Sequence, residues 1–288
     1  MVTLHYATGS VISSDGTTIG YRRIGQGPGL ILVHGGMQAA QNFMKLAAAL
    51  SDAFTVHILD RRGRGLSGPF GADHCMQREV EDLAAVAEAT GSSCVFGLSS
   101  GALIALQAAS AGSVLRKIAL YEPPLVIVGA PGPTPLDWLP PYEAALARGD
   151  LAAAMVACLK GTADRELFMA LPRFVMTPLM RLAIRAWSKN SRPGDVPLED
   201  LIRATHFDGR IAAEMAGTIH RYRTVDADVL LMGGSRSAAY LPIALDALER
   251  AIPHSRRVEF PGLGHTAADD TGRPERVAAE LRRFFTLS

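Results

Sequence analysis

Only three of the 288 residues are cysteine, at Cys75, Cys94 and Cys158, too few and too scattered for a disulfide framework. No Cys-x-x-Cys pair or Cys/His cluster occurs, so neither a structural zinc nor any other metal is expected, and a reducing compartment is. Charge of one sign is also missing. The 29 Lys and Arg against 28 Asp and Glu leave a net +1, and without a global field neither nucleic acid nor an anionic membrane is an expected partner. No apolar run reaches the roughly 18–20 residues that cross a bilayer. The opening residues MVTLHYATGS lack a basic stretch followed by an apolar one, so the chain reads as cytoplasmic. Internal repeats and low-complexity tracts are absent too. What remains, 48% hydrophobic and 20% charged side chains, is the balance of a globular protein with a sizeable core.

The pattern of elements predicts an α/β fold with a mostly parallel sheet. Two short β-prone runs flank Asp15-Gly16, a hairpin signal that predicts an antiparallel edge. Residues 30–34, LILVH, form a continuous apolar run, as in a strand buried on both faces. Helical spacing over 40–51 is followed by a β-type run over 54–60. A helix over 76–89, a strand over 93–98, an Ala-rich helix over 100–111 and a strand over 116–121 continue the alternation. The rhythm then stops. From 123 to 226 only Pro-punctuated helical stretches occur, among them 142–159 and 166–171. Strand 228–234, helix 239–251, strand 256–260 and a helix from Pro274 resume it. The expected organisation is therefore a core over 1–122 and 227–288 with a helical cap inserted at 123–226.

The segment SCVFGLSSGALIALQAA carries Gly97-Leu98-Ser99-Ser100-Gly101, a G-x-S-x-G directly after an apolar strand and directly before a helix. A serine on that sharp bend sits in a strained conformation with its hydroxyl pushed out at the carboxyl edge of the sheet, while the glycines let strand and helix approach closely. The helix N-terminus beneath it favours developing negative charge. The plain alternative is a Ser/Gly-rich turn.

Here the chain resembles the α/β-hydrolase superfamily over almost its whole length outside the cap. Four motifs carry the likeness: His34-Gly35-Gly36, the run from Asp60 to Ser67 (DRRGRGLS), the Ser99 bend, and Gly262-Leu263-Gly264-His265. The resemblance implies a cofactor-free hydrolase that takes a small-molecule substrate, with Ser99 as nucleophile and His265, on a Gly-rich loop after the last strand, as base. It also implies two backbone donors for the oxyanion, one at Ser100 and one at Gly36, with Met37 as second choice.

The orienting carboxylate departs from the common pattern. Family members carry it just after the strand that follows the cap, where this chain reads Gly233-Gly234-Ser235-Arg236-Ser237-Ala238-Ala239-Tyr240. Glu122, at the end of the strand after the Ser99 helix, occupies the alternative strand end used by haloalkane dehalogenases and some lactone hydrolases of the superfamily. Glu122 is the first candidate and Asp60 the outside one, although Asp60 is also explained as tying down its own loop. Asp269 and Asp270 read as solvated residues before the last helix. Arg61, Arg62 and Arg64 read as a solvated face or an internal ion pair.

In the cap, Trp138, Tyr142, Phe168, Met169, Phe174, Met176, Met180 and Trp187 offer large apolar surfaces. Most are expected to form the cap's own core. Met37, Trp138 and Trp187 are the expected substrate-contacting residues, implying an apolar acyl group. The expected activity is cleavage of a carboxylic ester or lactone through an acyl-enzyme. The same fold also accommodates C–C hydrolases, cyclases, perhydrolases and non-catalytic small-molecule receptors.

Overall fold

A computed structural model describes residues 5–112, 114–132, 134–162, 171–188, 192 and 194–287. Phe168 and Met169, and all but the last residue of the helical stretch expected at 166–171, lie outside the described residues. Eight strands form one sheet in the order β1-β2-β4-β3-β5-β6-β7-β8. The hairpin β1 (Ala7–Ile12) and β2 (Thr18–Ile24) is the antiparallel edge, and β2 also runs antiparallel to β4 (Thr55–Leu59). The remaining strands, β3 (Gly29–Val33), β5 (Cys94–Leu98), β6 (Lys117–Tyr121), β7 (Asp228–Gly234) and β8 (Ser255–Phe260), pair in parallel.

Apolar runs in β3 to β7 follow from burial on both faces, because alternate side chains of one strand enter different cores. Ile31 and Val33 point to the core capped by α2 (Met76–Thr90), α3 (Ser100–Ser110) and α8 (Tyr240–Ala251). Leu30 and Leu32 point to the opposite core, closed by α1 (Met44–Leu50) and α9 (Pro274–Thr286). Residues Ala40–Phe43, expected as the first turn of a helix, instead form a 3-10 turn that leads into α1.

Between β6 and β7 the chain folds into helices α4 (Leu139–Ala147), α5 (Leu151–Thr162), α6 (Arg173–Ser188) and α7 (Leu198–Glu214) and a final 3-10 turn, Thr218–Thr224. The stretch expected as one helix over 142–159 is two helices. Gly149, at φ +72°, turns the chain between them, a conformation that L side chains avoid. These helices share a third core of their own, including Trp138, Tyr142, Met176, Met180 and Ile202.

The glycines of the G-x-S-x-G run are fixed by close approach. A Cβ on Gly101 would lie 2.3 Å from the carbonyl oxygen of Val33, and one on Gly97 2.4 Å from that of Gly101. In an open helix Gly→Ala stabilises by about 1 kcal/mol. Here overpacking against backbone reverses the sign, and Gly101→Ala is expected to destabilise by about 1–3 kcal/mol. A urea midpoint unchanged or raised in that variant would contradict this packing.

Candidate active site

Among the described residues, the non-glycine residues at positive φ are Met37 (58°), Ser99 (57°) and Glu122 (47°). Each such position costs of order 1–3 kcal/mol and persists only where surrounding structure enforces it. All three lie beyond the carboxyl ends of neighbouring strands: Met37 four residues after β3, Ser99 directly after β5, Glu122 directly after β6. Among the described residues, these strained positions gather at the carboxyl ends of β3, β5 and β6.

Ser99 (ψ −123°) is held at the bend by its own N–H, which donates to the Tyr121 carbonyl at 2.9 Å, and by the first turn of α3, which uses its carbonyl. It is partly exposed. Gly35 faces it closely enough that a Cβ there would come within 2.9 Å of the Ser99 Cβ.

The loop after β8 delivers His265, whose side chain is 20% exposed, against Glu122, which is 1% exposed. Nδ1 of His265 lies 2.7 Å from Glu122 Oε2. The second carboxylate oxygen accepts the N–H of Gly234 at 2.6 Å. With both oxygens engaged the carboxylate is fixed, and Nδ1 is the ring nitrogen turned to it, which leaves Nε2 on the far side of the imidazole. Gly233 and Gly234 end β7, just before the stretch where the common pattern carries its acid, and they make room instead. A Cβ on Gly234 would meet Leu263 O at 2.2 Å and one on Gly233 would meet Glu122 Oε1 at 3.2 Å. The strand end after the cap thus gives up its side chains to admit the imidazole loop and a carboxylate from β6. The Tyr121 hydroxyl donates to Gly264 O at 2.9 Å and steadies the same loop.

On the other side stands the loop after β3. Gly35 N–H donates to Gln38 Oε1 at 2.9 Å, and Met37 N–H to the Thr205 hydroxyl of α7 at 3.0 Å. The N–H groups of Gly36 and Ser100 make no hydrogen bond within the described protein. Beneath them is a buried ion network. Arg61 holds Glu79 with two bonds of 2.9 and 2.7 Å and reaches Asp208 of α7 at 2.6 Å. Arg62 grips Asp82 with two bonds of 2.7 and 2.6 Å, and Arg64 also bonds Asp208. Asp208 accepts the Ser100 hydroxyl at 2.7 Å.

Burial opposes the charge on Arg61, but Glu79 and Asp208 more than offset it and raise its pKa above the ordinary arginine value. Burial likewise disfavours the Asp208 carboxylate, yet Arg64 and Arg61 draw its pKa down to about 2. For Arg64 burial wins and its pKa is lowered. Burial, with Arg64 and Arg61 close by, depresses His34 well below the usual imidazole range, so it is neutral. Its Nδ1 donates to Gly35 O at 2.9 Å while Nε2 accepts the Arg61 N–H at 3.3 Å.

Of the two readings of the arginine trio, the internal ion pair is the one observed. Asp60 ties its loop, accepting the N–H groups of Ala40 and Leu66. Asp269 is not solvated as expected: it is 5% exposed and accepts from Gln38 at 2.9 Å and Asn42 at 3.1 Å. The partly buried Asp270 is pushed up to about 6, chiefly by burial. Trp138, expected at the substrate, is 7% exposed within the cap's own core, its indole N–H on Pro135 O at 2.8 Å. Trp187 is 57% exposed near the end of α6. Met37 does stand beside the site, packed against the cap core.

Thr205 and Asp208 were not foreseen. The available signal was an acid on the apolar stripe of α7, in register with Leu201, Ala204 and Ile211. A cleft of about 740 Å³ lined by Arg22, Arg64, Phe70 and Val196 lies to one side, and neither Ser99 nor His265 is on its wall. Among the described residues no cluster of three His, Cys, Asp or Glu side chains could hold a metal ion, and no helix is long and apolar enough to cross a membrane.

The model of the alpha/beta hydrolase family matches residues 30–280. The chain belongs to that family. A solved alpha/beta hydrolase from Sphaerobacter thermophilus is similar to this hydrolase at 30% identity and a TM-score of 0.77, covering 96% of this chain and 100% of that one. N-formylmaleamate deformylase of Pseudomonas putida is 36% identical over 146 residues, which are 46% of this chain. The chain spans about half the length of that relative, 52%. A pimeloyl-[acyl-carrier protein] methyl ester esterase of Xanthomonas campestris is 27% identical over 267 residues, 91% of this chain and 96% of that protein.

Two carboxylates of the ion network, Asp208 and Glu79, give it acid sensitivity of one sign, while burial raises the pKa of Asp82, which acts the other way. Asp208 and Glu79 have folded-state pKa values below those of an unfolded chain, near 4. Their contribution is full above about pH 4 and is lost as the pH falls toward about 2. The melting temperature should therefore drop between about pH 4.5 and 2.5, as followed by circular dichroism. A flat or rising melting temperature over that interval would contradict the network.

Proposed function

We propose that this hydrolase cleaves a carboxylic ester or lactone of moderate size through a serine acyl-enzyme. Ser99 attacks the substrate carbonyl while His265 Nε2 takes the hydroxyl proton, and Glu122 holds the imidazole in the tautomer that can accept it. The resulting oxyanion is received by the N–H groups of Gly36 and Ser100. Collapse of the tetrahedral intermediate breaks the bond to the leaving oxygen, which takes the proton from His265. Water then repeats the sequence on the acyl-enzyme: His265 removes its proton, the carbonyl is attacked, and Ser99 leaves with that proton restored.

The observation that carries this reading is the 2.7 Å contact between His265 Nδ1 and Glu122 Oε2, with the other carboxylate oxygen held by Gly234. A carboxylate at 1% exposure, fixed on two sides and set beside the strained Ser99 bend, has a clear use in orienting an imidazole. The Met37 N–H is taken by Thr205, which favours Gly36 as the loop donor. The names of relatives agree with acyl chemistry, one being a methyl ester esterase and another a deformylase.

With p-nitrophenyl esters the wild type should release a burst of nitrophenol stoichiometric with enzyme. Ser99→Ala should lose turnover by up to about 10⁶-fold with folding intact, and full retention of activity would remove Ser99 from the mechanism. Glu122→Gln should lower kcat by about 10²–10⁴-fold through loss of tautomer control. Wild-type turnover in that variant would mean that another carboxylate orients the histidine.

A further inference from the structure

Two side chains of one cap helix reach the two places where the oxyanion would be held, and the reaction scheme gives neither of them a part. Thr205 and Asp208 lie one turn apart on α7, 3% and 5% exposed. The Thr205 hydroxyl accepts the Met37 N–H at 3.0 Å and donates to Leu201 O at 2.8 Å, so its orientation is fixed by its own helix. Met37 is one of the strained residues, at φ 58°, and the peptide that it anchors adjoins Gly36. Asp208 accepts the Ser100 hydroxyl at 2.7 Å, and Arg61 Nη1 approaches the same hydroxyl at 3.1 Å. Asp208 also packs against Gly36, where a Cβ would come within 3.3 Å of its side chain.

We infer that the cap assembles the oxyanion hole, with Thr205 and Asp208 as positioning residues: Thr205 sets the Gly36 donor through Met37, and Asp208 sets Ser100. This rests on the serine-hydrolase reading and deepens it. The left-handed Met37 conformation has a cost that relaxes if its N–H loses the acceptor. A loop donor displaced by an ångström no longer meets an oxyanion, because such donors act only when held in place before reaction. Residues on α7 therefore govern turnover without touching the substrate. The charge on Asp208 is matched by Arg61 and Arg64, so it orients Ser100 without an unbalanced negative charge opposing the oxyanion.

The test compares p-nitrophenyl butyrate with its O-aryl thionoester, in which C=S replaces C=O. Sulfur is a poor hydrogen-bond acceptor, so the ester-to-thionoester ratio of kcat/KM reports on the oxyanion donors and not on general stability. Asp208→Asn leaves two buried guanidinium groups short of a counter-charge and can fail to fold, so Thr205→Val, close in shape, carries the experiment. Expected for Thr205→Val are a kcat on the ester lowered by about 10–10²-fold, KM within about twofold and a ratio lowered in parallel. Thr205→Ser should restore both. Thr205→Val with wild-type kcat, or with reduced kcat at an unchanged ratio, overturns the inference while a wild-type burst leaves the serine mechanism standing. Absence of any nitrophenol release by the folded wild type from a series of esters removes both.

Discussion

Three adjacent strands of this sheet end in, or lead within four residues to, a backbone conformation that ordinary residues avoid, and the site depends on that constraint. Without the positive φ at Ser99 the chain could not pass from β5 directly into α3. Without the one at Glu122 the carboxylate would not turn back toward Gly234 and His265. Such strain survives only where neighbours enforce it. Here the enforcement comes from hydrogen bonds between strand ends, Ser99 N–H to Tyr121 O and Glu122 N–H to Met232 O, and from glycines that allow contact at backbone distance.

The same economy of space explains why the carboxylate that meets His265 comes from the end of β6. A side chain at Gly234 would strike Leu263, so the last residue of β7 must remain small for the imidazole loop to pack. The β7 end then supplies a backbone N–H, and β6 supplies the charge. Acid and imidazole are brought together by strands that are not neighbours, β6 and β8, with β7 between them acting as a hydrogen-bond donor.

Much of this was legible in the sequence. Continuous apolar runs betrayed strands buried on both faces, and the spacing of Gly97, Ser99 and Gly101 betrayed the bend, because both reflect local geometry. The absence of an acid near Arg236 pointed to Glu122 by its position at a strand end. Contacts between distant segments that no motif marks were not legible. Asp208 is separated from Ser100 by 108 residues, and only an acid on an otherwise apolar helical stripe hints at its burial. Asp269 looked like part of an exposed turn, yet Gln38 and Asn42 claim it from the far end of the chain. Aromatic size marks candidates without fixing their placement: Trp138 packs within the cap's own core and Trp187 is exposed.

The most direct test of the account is peptide mapping of the protein after reaction with diethyl p-nitrophenyl phosphate, a serine-directed reagent, together with the rate of labelling. The account predicts one adduct, on Ser99, formed at a rate that collapses when Glu122 is changed to Gln and is largely kept when Asp60 is changed to Asn. An adduct on a different residue, or a folded wild-type protein that stays unlabelled, would contradict it.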